Sequence, residues 1–329
     1  MKKTPKPKPL FLERMKTILK GDYEKYLESL KTTPPKSIRC NTLKISVKDL
    51  KKRLEEKGWD LKQPFKSNPE IITIQNTLEP GELGKTLEHL LGYYYIQEIA
   101  SMLPVIALDP KPNQMILDLC ASPGSKTTQI ASQMENTGAI IANDLQLGRI
   151  KILASNLERS GVANTIITKK DGFSLCQKLK LLAPKDVNEK NDLVPYLFDK
   201  ILVDAPCSGE GTLRTAPRTA KMWNIHSVRS LSKIQKSLLR SAFDVLKVGG
   251  ELVYSTCTHA PEENEAVVDF FLKNFDVKIQ KINIPIKSGK IITKWQDEEY
   301  LEDVKYSCRV YPHEYNTEGF FLAKFKKLK

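Results

Sequence analysis

Between Phe11 and Leu30 the apolar residues recur at helical spacing: Leu12, Met15, Ile18, Leu19, Tyr23, Tyr26, Leu27 and Leu30. That pattern predicts an amphipathic helix, stopped by Thr33-Pro34-Pro35. From Ser37 the pattern changes. Ser37 to Ile45 predicts a strand, Val47 to Lys57 a short basic helix, and Trp59 to Phe65 and Ile71 to Gln75 two further strands.

From Tyr93 onward, short apolar runs alternate with amphipathic stretches. Strands are predicted at Met115 to Leu119, Ala139 to Asn143, Thr165 to Lys169, Lys200 to Val203 and Glu251 to Ser255. Helices are predicted at Lys126 to Gln133, at Leu147 to Ser160 before Gly161, and at Leu231 to Leu246 before Gly249-Gly250. Such alternation implies βαβ units. The fold class is therefore α/β: a Rossmann-like, doubly wound sheet over residues 93–329, preceded by a small α+β domain over residues 1–92. The polar stretch Leu181 to Asp192 is expected to be an exposed insertion. In doubly wound sheets ligands sit beyond the carboxyl ends of the strands, which selects the residues to inspect.

Charge adds a partner class. The chain of 329 residues carries 52 Lys and Arg against 39 Asp and Glu, a formal charge of +13. Residues 1–92 hold 20 of the basic and 12 of the acidic residues, so the smaller part is the more basic per residue. Each neutralised phosphate releases a counterion, so an accessory domain that holds nucleic acid is expected. A small strand-helix-strand-strand sheet is compatible with RNA binding, although the stacking-aromatic signature of the common RNA-recognition motif is lacking. The basic start MKKTPKPKPL is followed by no apolar run of signal-peptide type, and no segment reaches membrane-spanning length. A cytoplasmic protein without a membrane partner is the expectation. The six cysteines, at 40, 120, 176, 207, 257 and 308, form no CxxC pair and have no His-rich partner segment. Neither a metal site nor a disulfide framework is expected, which leaves free thiols for chemistry.

The first strand of the second domain runs into Asp118-Leu119-Cys120-Ala121-Ser122-Pro123-Gly124-Ser125-Lys126-Thr127. A strand, a tight small-residue turn and a helix start let backbone approach a ligand closely. A nucleotide P-loop needs glycine where Cys120 and Ser125 stand, and a dinucleotide fingerprint needs three glycines where only Gly124 is available. S-adenosyl-L-methionine is the nucleoside cofactor that suits a single-glycine turn. Asp144 follows the second strand, where an acid meets ribose hydroxyls, and Asp171 follows the third, where a carboxylate could accept from an adenine amino group. Taken singly, each acid reads better as a solvated loop residue or a helix cap, and it is an acid after each of three successive strands that points to a ligand.

The fourth strand leads into Asp204-Ala205-Pro206-Cys207-Ser208-Gly209, and the fifth into Ser255-Thr256-Cys257-Thr258. Both place a thiol beside the expected methyl donor. Carbon 5 of cytosine is too poor a nucleophile to take a methyl group unaided. A thiolate added at carbon 6 makes the ring enamine-like, a carboxylate near N3 (Asp204) stabilises it, and a base then removes the carbon 5 proton so that the thiol can leave. An exocyclic amine acceptor fits less well, because the aromatic residue of an Asn/Asp-Pro-Pro-Tyr turn is missing. Cys40, Cys120, Cys176 and Cys308 read as packing cysteines, Cys120 with a backbone contact to ligand. On the residues alone, either Cys207 or Cys257 could be the nucleophile.

The motifs DLCASPGSKT, DAPCSGEGTLR and YSTCTHAPEENE resemble the Sun-type family of RNA cytosine-C5 methyltransferases. YYIQEIASMLP and RVYPHEYNTEGFFLAKF extend the likeness over Ser37 to Lys329. The resemblance implies that Cys257 is the nucleophile and that Cys207 assists product release. It implies cofactor contacts at Cys120, Ala121, Ser122, Pro123, Gly124, Ser125 and Lys126, and at Asp144, Arg149, Asp171 and Asp204. Ser122 and Ser125 replace Ala and Gly of the family's usual turn, and both are small enough to preserve a pocket. Arg39, Asn41 and Lys44 match an RNA-facing motif, while His313 and Gly319 match a final motif read as structural support. The expected partner is RNA, tRNA before rRNA, with the target base flipped or single-stranded and the enzyme a monomer. An RNA-binding assembly factor on the same fold is the rival from another class.

Overall fold

The computed structural model describes residues 7–182 and 198–329. Most of the Leu181 to Asp192 stretch and the first six residues of the basic start lie outside the described residues. The expected first helix is two, α1 (Pro9–Leu19) and α2 (Tyr23–Ser29), because Lys20 takes a φ of 50° and a single 3-10 turn follows. Phe11, Met15, Leu19 and Tyr26 bury against Leu213, Trp223, Val228, Ala260 and Tyr311. This helical pair therefore packs on the large domain and not on the small sheet.

The small sheet is antiparallel, in the order β2 (Leu61–Lys62), β3 (Ile71–Ile74), β1 (Ser37–Cys40), β4 (Tyr94–Ile96). Helix α3 (Val47–Glu55) starts where Ser46 Oγ accepts the Asp49 N–H at 3.1 Å. It closes a core of Ile38, Leu50, Leu54, Trp59, Ile72 and Tyr94. β1 stops at Cys40, five residues earlier than the apolar pattern suggests, because the Lys44 and Ile45 N–H groups both fold back onto the Asn41 carbonyl. The fourth strand lies beyond Gly92, so the chain leaves this sheet only at Ile96.

The large sheet runs β10 (Val277–Gln280), β14 (Phe320–Lys327), β9 (Leu246–Thr256), β8 (Phe198–Asp204), β5 (Met115–Asp118), β6 (Ala139–Asp144), β7 (Thr165–Lys169). The two-stranded ribbon of β11 (Lys294–Trp295) and β12 (Glu298–Glu299) stands apart, and β13 (Cys308–Val310) shares the outer edge of β14 with β10. β5 to β9 are mutually parallel, and β14 enters antiparallel. Side chains alternate between two covered faces. Ile116, Ile140, Leu202 and Val253 pack beneath α4 (Ile99–Leu108) and α5 (Ser125–Gln133), and Ala142 beneath α6 (Leu147–Ser160). Leu117, Ile201, Val203, Leu252 and Tyr254 pack beneath α7 (Gly172–Leu182), α8 (Ile225–Val245) and α9 (Glu265–Asn274). This is a Rossmann-like, doubly wound arrangement. Strand order reverses between β5 and β8, which opens a crevice at their carboxyl ends. Asp118 and Asp204 stand there. Among the described residues no helix is long and apolar enough to cross a membrane.

Candidate active site

The parallel register of β8 and β9 sets Asp204 opposite Ser255, and the Ala205 N–H extends the pairing to the Ser255 carbonyl at 2.9 Å. Each chain then turns, and the turns bring Cys207 Sγ within 3.2 Å of Cys257 Sγ. The hydrogen bond to Cys257, followed by burial, pushes the Cys207 thiol well above its ordinary range. Behind Cys207, Gln235 Nε2 donates to the Pro206 carbonyl at 2.9 Å and to Glu263 Oε2 at 2.8 Å, and the Ser208 N–H donates to the same carboxylate oxygen at 3.0 Å. Burial pushes the Glu263 carboxyl up to about 7.

Cys257 is braced separately. The Gly211 N–H donates to the Cys257 carbonyl, and the Gly319 N–H donates to the Gly211 carbonyl, each at 2.9 Å. A Cβ on Gly319 would lie 2.2 Å from His259 Cε1, so the chain passes here only as glycine. The His259 ring stacks on Tyr311 at 5.4 Å, and its carbonyl accepts from Arg309, which also grips the buried Glu265 carboxylate. Burial, then the Arg309 charge, push His259 down to about 3 and keep it neutral. His313 sits one ring farther out, stacked on Tyr311 at 5.6 Å, away from the thiols.

Asp204 accepts from Ser255 Oγ at 2.7 Å on one oxygen and meets Lys126 Nζ at 2.7 Å on the other. Lys126 also donates to Ser101 Oγ at 3.1 Å and lies over the Phe320 ring. The turn expected to bind cofactor is thereby tied directly to the thiol strand.

Beside that turn, Asn143 at the end of β6 fastens three strand ends. Its side-chain amide donates to the Leu119 and Lys170 carbonyls, its oxygen accepts from Thr168 Oγ1 and the Lys170 N–H, and its own carbonyl accepts the Ala121 N–H. Asp144 accepts the Ser122 N–H at 3.3 Å, and Arg149 donates to the Ser122 carbonyl at 2.6 Å. Gly124 has a φ of 103°, and a Cβ there would meet Leu153 at 2.9 Å. Asp118 accepts from Thr127 Oγ1 at 2.7 Å through one oxygen, and burial pushes its carboxyl up to about 7. Its other oxygen and Ser122 Oγ are buried and have no partner among the described residues. Buried polar atoms are normally satisfied, so this pair beside a close-approach turn fits a polar nucleoside ligand. Asp171 lies exposed at the end of β7, where its carboxylate caps α7 through the Ser174 N–H at 3.0 Å.

Arg39 and Asn41, expected to face RNA, lie in the joint between the two domains. Arg39 is 2% exposed and donates to the Ser125 carbonyl and to Thr128 Oγ1, both at 2.8 Å, with its guanidinium over Tyr95. Asn41 donates to the Gly92 and Ser160 carbonyls. Lys44 remains exposed, with its ammonium on the Leu91 and Arg159 carbonyls. Sequence reasoning assigned no role to Glu263, Gln235, Gly211 and Asn143, although Gly211 and Glu263 lie within the DAPCSGEGTLR and YSTCTHAPEENE motifs. Among the described residues no His, Cys, Asp and Glu group has metal-binding geometry.

A family described as the 16S rRNA methyltransferase RsmB/F matches residues 105–326, and the N-terminal domain of the 16S rRNA methyltransferase RsmF matches residues 8–99. A tRNA (cytosine(49)-C(5))-methyltransferase from Pyrococcus abyssi is 40% identical over 291 residues, covering 88% of each chain. Ribosomal RNA small subunit methyltransferase F from Vibrio cholerae is 40% identical over 296 residues, but this chain spans only 58% of that protein's length. A methyltransferase homologue from Pyrococcus horikoshii superposes with a TM-score of 0.82 at 36% identity, covering 97% of this chain and 95% of the other. NSun6 from the same organism, solved with SFG, an S-adenosylmethionine analogue, gives 0.81 at 25% identity over 98% of each chain. S-adenosylmethionine is the cofactor, and the residues of the turn fit it. Sequence, fold and thiol geometry agree that the chain belongs to the Sun-type family of S-adenosylmethionine-dependent RNA cytosine-C5 methyltransferases.

Proposed function

We propose that this enzyme methylates carbon 5 of a cytosine in tRNA through a covalent adduct at Cys257, with Cys207 completing release. The observation that carries the reading is the 3.2 Å contact between the two thiols, beside an Asp204 carboxylate held by Lys126 and Ser255. Cys207 holds its proton tightly and can donate it in a hydrogen bond to Cys257, and the nucleophile acts as a thiolate. That thiolate adds to carbon 6 of the base, and Asp204 meets the N3 edge. The bound cofactor supplies an electrophilic methyl group to carbon 5. Cys207, once freed of its own proton, removes the carbon 5 proton, and Cys257 leaves as a thiolate.

Cys120, Ala121, Ser122, Pro123, Gly124, Ser125 and Lys126 form the cofactor cradle in this reading, with Asp144, Arg149 and Asp171 around it. Arg39 serves by positioning the cofactor helix against the small domain, Asn41 ties the small domain to the end of α6, and Lys44 lies closest to an RNA-facing role. Residues 1–92, with their excess of positive charge, hold the RNA. tRNA is favoured over rRNA because the tRNA enzyme is matched along most of its length and the rRNA enzyme over little more than half. A reducing cytoplasm and a monomeric enzyme complete the proposal.

Incubation with labelled cofactor and separated tRNA and rRNA, followed by bisulfite mapping, tests the reading. New 5-methylcytosine in tRNA is expected. Labelling confined to rRNA would overturn the substrate, and no 5-methylcytosine in any RNA would overturn the function.

A further inference from the structure

The release step leaves a proton unaccounted for. Cys207 enters the reaction as a thiol, yet it must be a thiolate to take the carbon 5 proton. Something close to it must first accept its own proton. Asp204 is poorly placed for this, since both of its oxygens are engaged, by Ser255 and by Lys126. Cys257 is bonded to the base at that stage.

Glu263 is a buried carboxylate tied to the Cys207 turn, and its charge acts on the Cys207 thiol. Its side chain is fully buried, and one carboxyl oxygen takes both the Ser208 N–H at 3.0 Å and Gln235 Nε2 at 2.8 Å. Gln235 also holds the Pro206 carbonyl at 2.9 Å. The peptide groups on both sides of Cys207 are thereby tied to Glu263 and its partner. The second carboxyl oxygen, Oε1, is buried and has no hydrogen-bond partner among the described residues. An unsatisfied oxygen in that position is costly unless it serves a purpose.

We propose that Glu263 is the positioning partner of Cys207, holding its turn and accepting its thiol proton before release. This inference rests on the reading that Cys207 completes release. In the first transfer the Cys207 S–H bond breaks and a Glu263 O–H bond forms, which leaves Cys207 as a thiolate and Glu263 neutral. In the second, the carbon 5 C–H bond breaks and a Cys207 S–H bond forms. The freed electron pair restores the C5–C6 double bond as the Cys257 C6–S bond breaks to give a thiolate. Glu263 then loses its proton to water, and the site returns to its starting state.

The surroundings suit such a carrier. Burial raises the proton affinity of Glu263 towards about 7, and the Glu210 carboxyl adds to the effect. Arg14 and Glu262 act in turn on Glu210, and Tyr254 donates its hydroxyl to the Glu263 carbonyl. The Glu263 charge raises the proton affinity of Cys207, and both groups act with Asp204 on the Tyr254 hydroxyl. A carboxyl poised near neutrality exchanges protons in both directions at working pH.

The test follows a single turnover of the full chain with S-adenosylmethionine and tRNA, from about pH 6 to about pH 9. Methyl transfer and decay of the covalent adduct are read separately for wild type, Cys207→Ala and Glu263→Gln. Glutamine keeps an acceptor for the Ser208 N–H but cannot take a proton. Glu263→Gln is expected to transfer its first methyl at close to the wild-type rate and to release product about 100-fold more slowly. Wild-type release should rise with pH through neutrality, and in the variant that limb should move to higher pH. Release at the wild-type rate with an unmoved limb would overturn the proposal, as would equal losses in transfer and release. If Glu263→Gln does not fold, Glu263→Asp carries the test: a displaced limb supports the proposal and an unmoved one overturns it. Failure of Cys207→Ala to accumulate any adduct would instead refute the underlying release role.

Discussion

Cys207 Sγ and Cys257 Sγ lie 3.2 Å apart across the mouths of two adjacent parallel strands, although fifty positions separate them in the chain. The distance follows from register. Asp204 pairs with Ser255, both chains turn away after it, and Gly211 and Gly319 pin the second turn from below. Two half-buried thiols at hydrogen-bond distance are poorly explained as packing, since each could have been replaced by a small apolar residue. The arrangement is better explained by chemistry that needs one thiol to attack and one to carry a proton.

Arg39 distinguishes joint from RNA contact. Burial pushes its guanidinium down to about 10, which still leaves it charged at neutral pH and bound to the Ser125 carbonyl at the start of the cofactor helix. Arg39→Ala is expected to weaken S-adenosylmethionine binding about tenfold by calorimetry, the worth of roughly one such hydrogen bond. The salt dependence of RNA binding should stay unchanged. A loss of a phosphate contact would lower that slope by about 1, and this result would return Arg39 to the RNA face.

Gly319 has no room for a methyl group. The added Cβ would meet His259 Cε1 at 2.2 Å, and the Gly211 backbone stands on the other side. Gly319→Ala should cost about 1–3 kcal/mol in urea unfolding, the usual penalty for an overfilled core. It should also lower turnover, because the Cys257 carbonyl hangs from the same Gly211. Unchanged stability and turnover would mean that the His259 ring moves freely, contrary to its stacked position.

His259 gives the fold an acid-sensitive component of definite sign. Its folded value is pushed from 6.5 down to about 3, so in mild acid the unfolded chain binds a proton that the folded chain refuses. Stability from this group is therefore intact above about 6.5 and is lost as pH falls towards about 3. Between those limits the loss is about 1.4 kcal/mol per pH unit. Denaturation of wild type and His259→Asn at about pH 6 and about pH 4 should show the wild-type advantage shrinking as acid is added. A constant difference would show that His259 is protonated in the fold.

The alternating strand and helix pattern made the large domain legible from sequence, because parallel strands covered on both faces read as short apolar runs. The same reasoning failed where local geometry overrode pattern. Lys20 breaks the first helix through one positive φ, and Asn41 ends β1 by collecting two N–H groups on its carbonyl. Helix α8 begins at Ile225, six residues earlier than its periodicity suggests, since Asn224 Oδ1 caps it through the Ser227 N–H at 2.8 Å. Within the site, the thiols and Asp204 could be found from their neighbours in sequence. Gln235 could not, and the role of Glu263 could not be read from its motif, because both act on a turn more than twenty positions away. Asp171, an acid after a strand that suggested a ligand, has in the structure a helix to cap as well.

The most direct test of the central claim is to trap the adduct. Cys207→Ala, incubated with tRNA and methyl-labelled cofactor and run on a denaturing gel, should show labelled RNA covalently bound to protein. The same experiment with Cys207→Ala and Cys257→Ala combined should show none. A labelled adduct that survives the loss of Cys257 would contradict the assignment of attack to that thiol.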